Sequence, residues 1–223
     1  MIRKEEPAGD LPVHSRQPVD CFALLGVARA PWLDEAGLKE TFLQLSVELH
    51  PDRAQRGAES ERQARHETFL ELQNAYNTLH DPRTRLRHLL ELEQGRKPKE
   101  IESIPDDMVE LFLKVGNECR EVDAFLREKN AARSPMLRAA LFERTQDWKD
   151  SLGKCIEIIQ DRLNRLTNRM REMNRDWESA APPGTPARQE ALPCDALEEI
   201  YRDLAYLIRW QEQIRERNLQ LSL

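Results

Sequence analysis

The spacing of apolar residues along the chain predicts helices and little else. Leu38, Phe42, Leu45 and Leu49 recur at steps of four and three, one face of an α-helix. Asp34 is placed to cap its start, and Pro51 stops it, because a residue before proline is driven out of the α region. After a polar loop, residues 53–60, a second stripe follows with Phe69, Leu72, Tyr76 and Leu79, and it ends before Asp81-Pro82. Two stripes of matching length on either side of a polar loop predict an antiparallel helix pair. A shorter helix follows, marked by Leu86, Leu89, Leu90 and Leu92.

The polar stretch from Gln94 to Lys99 is the natural boundary, and three longer patterns lie beyond it. One starts near Pro105 and carries Met108, Phe112, Val115, Cys119, Val122 and Leu126. The next starts near Pro135 and runs through Leu137, Leu141, Trp148, Leu152, Cys155, Ile159, Leu163, Leu166, Met170 and Met173, until Pro182 and Pro183 break it. The last carries Leu197, Ile200, Leu204, Leu207, Gln211 and Ile214. Three stripes of this kind predict an antiparallel three-helix bundle with coiled-coil-like packing. At 1.5 Å per residue the middle helix would reach roughly 60 Å. Its length requires a bend, with Gly153 a candidate, or an end near Trp177 that projects past the bundle. The fold class is therefore all-α. The expected organisation is a disordered tail over residues 1–19, a helix-pair domain over 20–93, a linker over 94–104 and a bundle over 105–223 with a proline-rich connection at 180–194.

Composition narrows the function classes. The net charge is −6 and no stretch forms a one-sided basic block, so nucleic acid is not an expected partner. No apolar run approaches the length of a membrane span, and the first nineteen residues lack an apolar signal core, so a cytoplasmic location is expected. Cys21, Cys119, Cys155 and Cys194 are far apart and form no C-x-x-C pair. They read as structural thiols, and neither a metal nor a cofactor is expected.

The chemistry then concentrates on His50-Pro51-Asp52, at the tip of the predicted helix pair. Catalysis by His50 and Asp52 would need the carboxylate to orient the imidazole beside a nucleophile. The intervening proline holds the two side chains apart, and no Ser or Cys motif accompanies them. An enzyme is not expected. A fixed turn presenting a carboxylate to an arginine suits docking on another protein.

With the second helix, which contains Gln73-Asn74-Ala75-Tyr76-Asn77-Thr78-Leu79, this arrangement resembles a J domain, the module of DnaJ-type co-chaperones. The resemblance implies that His50, Pro51 and Asp52 engage a DnaK- or HscA-type chaperone and stimulate its ATPase, with Lys39 and Arg53 as the remaining basic contacts. Gln44 and Glu48 stand where such domains carry positive charge. A J domain followed directly by a small three-helix domain resembles the HscB family of iron–sulfur cluster co-chaperones. Asp20-Cys21-Phe22-Ala23-Leu24-Leu25-Gly26, the segment from Asp81 to Leu90, and Asp203-Leu204-Ala205-Tyr206-Leu207-Ile208-Arg209-Trp210 carry the likeness.

In that family the bundle binds the cluster scaffold protein, IscU, through an apolar patch edged by acids. The residues here give separate support for such a patch. Val109 and Leu113 fall one turn apart and off the stripe of their helix, as do Tyr206 and Trp210 on the last one. The same residues also read as the edge of a wide core stripe. By resemblance Val109, Leu113 and Tyr206 match the family's patch, Phe112 is the neighbouring register, and Glu121 is what remains of the acidic rim. Glu110, Lys114 and Asn117 depart from the family pattern. Two other readings stay open: a J-domain co-chaperone with a different client, and a self-associating structural protein whose J domain is inactive.

Overall fold

The structure is a computed structural model that describes residues 19–49, 59–99 and 103–223. Among these residues every regular element is helical. Asp20 caps the short α1 (Cys21–Leu24), its carboxylate accepting from the backbone of Phe22 and Ala23. Asp34 accepts from the Gly37 amide at 2.8 Å and starts α2 (Glu35–Leu49). α3 (Glu59–His80) packs against α2, and the rings of Phe42 and Tyr76 stack with centroids 4.4 Å apart. Asp81 caps α4 (Pro82–Gln94), which ends where Gly95 takes the left-handed conformation at φ 68°.

A 3₁₀ turn (Asp106–Met108) leads into α5 (Val109–Ala131). Ser134 caps α6 (Pro135–Ser179), which runs unbroken for 45 residues. A short α7 (Pro186–Ala191) lies within the proline-rich connection, and α8 (Cys194–Ser222) completes the chain. α5, α6 and α8 form the predicted bundle. Ser151 donates to Glu118 at 2.7 Å, Arg217 donates to Asp123 at 2.8 Å, and Gln211 donates to Gln160 at 3.3 Å. Arg162 pairs with Asp107 and Arg144 with Glu128 on either side of the Ser151 contact, so α6 runs antiparallel to α5. The buried stripes of α5, α6 and α8 supply the interior, including Val115, Val122, Leu152, Cys155, Ile159, Ile200 and Ile214.

Two expectations need correction. Leu111, not Phe112, takes the buried place after Met108, because the 3₁₀ turn advances the register at the start of α5. Leu137 is exposed, since it lies before the first turn that α5 and α8 cover. α6 passes through Gly153 without a break, and at its far end Trp177 is buried. Within the proline-rich connection at 180–194, Pro186 occupies a first-turn position and opens α7.

The far end of α6 is met by the loop between α1 and α2. The Asn174 side chain donates to the Trp32 carbonyl at 2.9 Å and accepts from the Trp32 amide at 3.0 Å, and the Arg171 guanidinium lies 4.5 Å over the indole of Trp32. α4 is buried on two sides. One side carries Arg85 and His88 toward the helix pair, and the other carries Glu93 toward α7.

Candidate functional site

Two separate surfaces hold the residues singled out in the sequence. His50, Pro51, Asp52 and Arg53 lie outside the described residues. What the structure places is the helix that delivers them. α2 ends at Leu49, half-buried against the core, and Lys39, Gln44 and Glu48 are exposed on its surface. The stack of Phe42 on Tyr76 continues to His80, whose ring is 5.3 Å from that of Tyr76. These aromatic contacts tie α2 to α3 and fix the direction in which α2 points its C-terminus.

The helix pair rests on α4 through two buried polar groups. Arg85 donates to the Pro31 carbonyl at 3.0 Å and the Leu79 carbonyl at 2.7 Å, capping the end of α3. Burial pulls its guanidinium down to about 10, still protonated at neutral pH. His88 stacks on Phe22, and its Nε2 accepts from the Cys21 amide at 3.1 Å, so that nitrogen carries no proton. Burial lowers the His88 pKa from its ordinary value. Burial also raises the thiols of Cys21, Cys119, Cys155 and Cys194, holding them as thiols. Among the described residues no group of three or more His, Cys, Asp or Glu is arranged to hold a metal ion.

The second surface is on the bundle. Val109, Phe112 and Leu113 are exposed on the first turns of α5, Leu113 by 55%. Trp210 is the exception among the expected patch residues, being only 4% exposed. It is the floor of the patch: its ring lies 6.0 Å from that of Phe112 and 5.6 Å from that of Tyr206. α8 meets α5 on one side and α6 on another, which widens its buried stripe to take in both Trp210 and Gln211. Tyr206 is half-buried beside it, and Glu121 is exposed two turns beyond Leu113 on α5. The structure thus brings Phe112, Tyr206 and Trp210 into one aromatic group flanked by Val109 and Leu113, with Glu121 set apart.

The joint between the two surfaces escaped sequence reasoning. Glu93 on α4 and Arg188 on α7, both buried, make a two-pronged ion pair with both contacts at 2.8 Å. Arg188 also donates to the Ala181 carbonyl at 2.9 Å, and Arg29 reaches Glu93 at 3.6 Å while bonding Asp20 at 2.8 Å. The only sequence signal was a charged residue on α4 one turn after Leu89 and Leu90. Further out, Arg96 donates to Glu198 at 3.1 Å, holding the polar stretch after α4 against α8.

Residues 20–88 match the DnaJ domain family. The chain is similar to the co-chaperone protein HscB homolog of Cupriavidus taiwanensis, 26% identical over 162 residues that span 72% of this chain and 74% of that one. It is also similar to the mitochondrial J-type co-chaperone JAC1 of Saccharomyces cerevisiae, 27% identical over 129 residues, 55% of this chain and 62% of that one. Among solved structures, chaperone HscB from Vibrio cholerae superposes with a TM-score of 0.57 at 19% identity, covering 90% of this chain and 98% of that one. Human co-chaperone HscB does so with a TM-score of 0.56 at 18% identity, covering 95% and 93%. At such identities the structural likeness establishes the fold, an all-α arrangement with the J domain first.

Proposed function

We propose that this chain, a J-domain co-chaperone of the HscB type, stimulates the ATPase of a DnaK- or HscA-type chaperone while presenting the scaffold protein of iron–sulfur cluster assembly to it. In this reading residues 20–93 are the J domain, and the bundle from residue 105 onward is the client-binding domain. His50-Pro51-Asp52 acts on the ATPase: Pro51 fixes the turn, Asp52 accepts charge-assisted hydrogen bonds from an arginine of the chaperone, and Lys39 and Arg53 steer the encounter. The client lies over Val109, Phe112, Leu113 and Tyr206, with Trp210 as the floor and Glu121 at the rim. Trp210 supports that surface from below, so its truncation would damage the bundle as well as the contact.

The observation that carries the reading is the helix pair leading into His50-Pro51-Asp52 within the DnaJ-domain match, on a chain whose bundle displays an aromatic patch. Asp52→Asn or His50→Gln should abolish ATPase stimulation with helical content unchanged. Full stimulation by either variant would overturn the mechanism, and a salt-resistant oligomer of the native chain that gives no stimulation would favour an inactive J domain in a structural protein.

A second reading keeps the J domain and changes the client. It is favoured by Glu110, Lys114 and Asn117, which depart from an apolar patch rimmed by acids. Capture of the cluster scaffold by the native chain, and not by the Leu113→Ala, Tyr206→Ala double variant, supports the first reading. Capture of another protein through the same residues supports the second.

A further inference from the structure

Helical register sorts the charges that border the exposed patch on α5. A helix turns about 100° per residue, so Arg120, seven residues after Leu113, returns to within about 20° of its face. Glu121 stands about 80° round from Leu113, and Glu110 about 60° round in the same sense. That sense leads to α6, which Glu118 meets through Ser151. The opposite sense leads to α8, where Phe112 meets Trp210 and Asp123 pairs with Arg217. Glu110 and Glu121 thus lie on the side away from the aromatic group, with the exposed Lys114 between them.

Arg120 is exposed, and its guanidinium donates to the Asn117 side chain, one turn back toward Leu113. Asn117 is neutral, so this bond leaves the positive charge uncompensated. On α8, Arg209 is exposed between Tyr206 and Trp210. Glu212 is turned about 120° from Tyr206, and Glu216 adjoins Arg217 about three turns further on. Of the acids before Val109, Asp107 is paired with Arg162, which leaves Asp106 at that edge. Arg120 along α5 and Arg209 along α8 therefore border the patch, against one aspartate.

We infer that the client segment covering Val109, Phe112, Leu113 and Tyr206 is apolar at its centre and acidic at its flanks, with its carboxylates set against Arg120 and Arg209. This rests on the client-binding role given above for the patch. The sign is opposite to the acid-edged patch of the family that the sequence resembles. Matching charge at an interface rim speeds encounter and rejects partners of the wrong sign. The rejected partner here is one whose apolar segment is flanked by lysine or arginine.

The test is a fluorescence-anisotropy titration of the full chain with two synthetic peptides of identical apolar residues, one flanked by glutamates and one by lysines. The native chain should bind the glutamate peptide about tenfold more tightly at about 0.05 M salt, a preference falling below about threefold at about 0.5 M. The chain carries a net charge of −6, so unspecific attraction works the other way and favours the lysine peptide. Arg120→Glu with Arg209→Glu should reverse the order, whereas Glu110→Gln with Glu121→Gln should keep it. Leu113→Ala with Tyr206→Ala should weaken both peptides. Circular dichroism of the arginine variant should match the native chain, since both arginines are exposed.

Equal binding of the two peptides, a lysine preference in the native chain, or a glutamate preference that survives Arg120→Glu with Arg209→Glu overturns the inference. The cluster scaffold protein of the same organism, titrated alongside, keeps the two claims apart. About tenfold weaker scaffold binding by the arginine variant supports both. Scaffold binding that needs Leu113 and Tyr206 but is unchanged or tightened in the arginine variant sinks only the acidic flanks. A scaffold that does not bind, beside a native preference for the glutamate peptide, sinks only the identity of the client. Binding of neither peptide nor scaffold, or binding indifferent to Leu113 and Tyr206, sinks the patch as a client site and the inference with it.

Discussion

The two ends of α6 differ more than anything in their local sequence requires. At the C-terminal end, Asn174 pairs with both backbone groups of Trp32, Arg171 lies over the Trp32 ring, and Trp177 is buried. At the N-terminal end, Ser134 and Pro135 start the helix well, yet Met136 is 86% exposed and Phe142 is 74% exposed. Both ends are helical and both carry large apolar residues. Among the described residues only the C-terminal end meets the J domain, through Trp32. At the N-terminal end the bundle buries Leu141 and Thr145 and leaves Met136 and Phe142 in water, whereas at the C-terminal end a second domain covers what extends past the bundle.

The strongest way to break this contrast is at the covered end, through the Glu93–Arg188 pair. Glu93→Ala leaves the buried Arg188 guanidinium with only the Ala181 carbonyl, and removing one partner of a buried pair typically costs about 3–5 kcal/mol. Chemical denaturation should show a loss of that size. Hydrogen exchange should rise across α7 and the C-terminal turns of α6 while residues 135–145 stay as they were. A loss below about 1 kcal/mol would mean that the joint is held by apolar contact alone.

Acid is a milder probe, of the J domain that meets that end. His88 is held with Nε2 unprotonated, accepting from Cys21, and burial lowers its pKa below that of the unfolded chain. Between those two values the unfolded chain binds the extra proton, so stability rises with pH. The contribution is therefore complete above about 6.5 and is lost as pH falls through the lowered folded value. Thermal unfolding of the native chain should weaken across that window. His88→Gln, which keeps an acceptor but cannot titrate, should begin lower at neutral pH and lack that part of the decline. A parallel decline in both proteins would move the acid-sensitive step to another group.

How far the sequence foretold these two ends follows from what periodicity can report. Stripes with a 3.6-residue repeat marked α2 to α6 and α8, because each helix buries one continuous face. The same rule misplaced Phe112, where a 3₁₀ turn shifts the register, and Trp210, where two neighbours widen the buried face of α8. Glu93 and Arg188 were invisible to it: a buried ion pair between residues 95 positions apart leaves no apolar signature. Asn174 read as one more polar residue on a long helix, although its amide matches the hydrogen-bonding groups of the Trp32 backbone. The tripeptide is the reverse case, legible in sequence alone because its residues fall outside those described.

The smallest expected effect is at the uncovered end. Phe142→Ser removes a large apolar side chain from a position already 74% exposed, and surface changes of this kind usually stay within about 0.5 kcal/mol. Serine and phenylalanine have nearly equal helix propensity, so the backbone adds little to this. Equilibrium denaturation of Phe142→Ser should therefore overlay the native curve. A loss above about 1.5 kcal/mol would show that Phe142 is buried in solution by something this chain alone does not supply. In that case the two ends of α6 would differ in what covers them, the J domain at one and a separate protein surface at the other, rather than in whether they are covered.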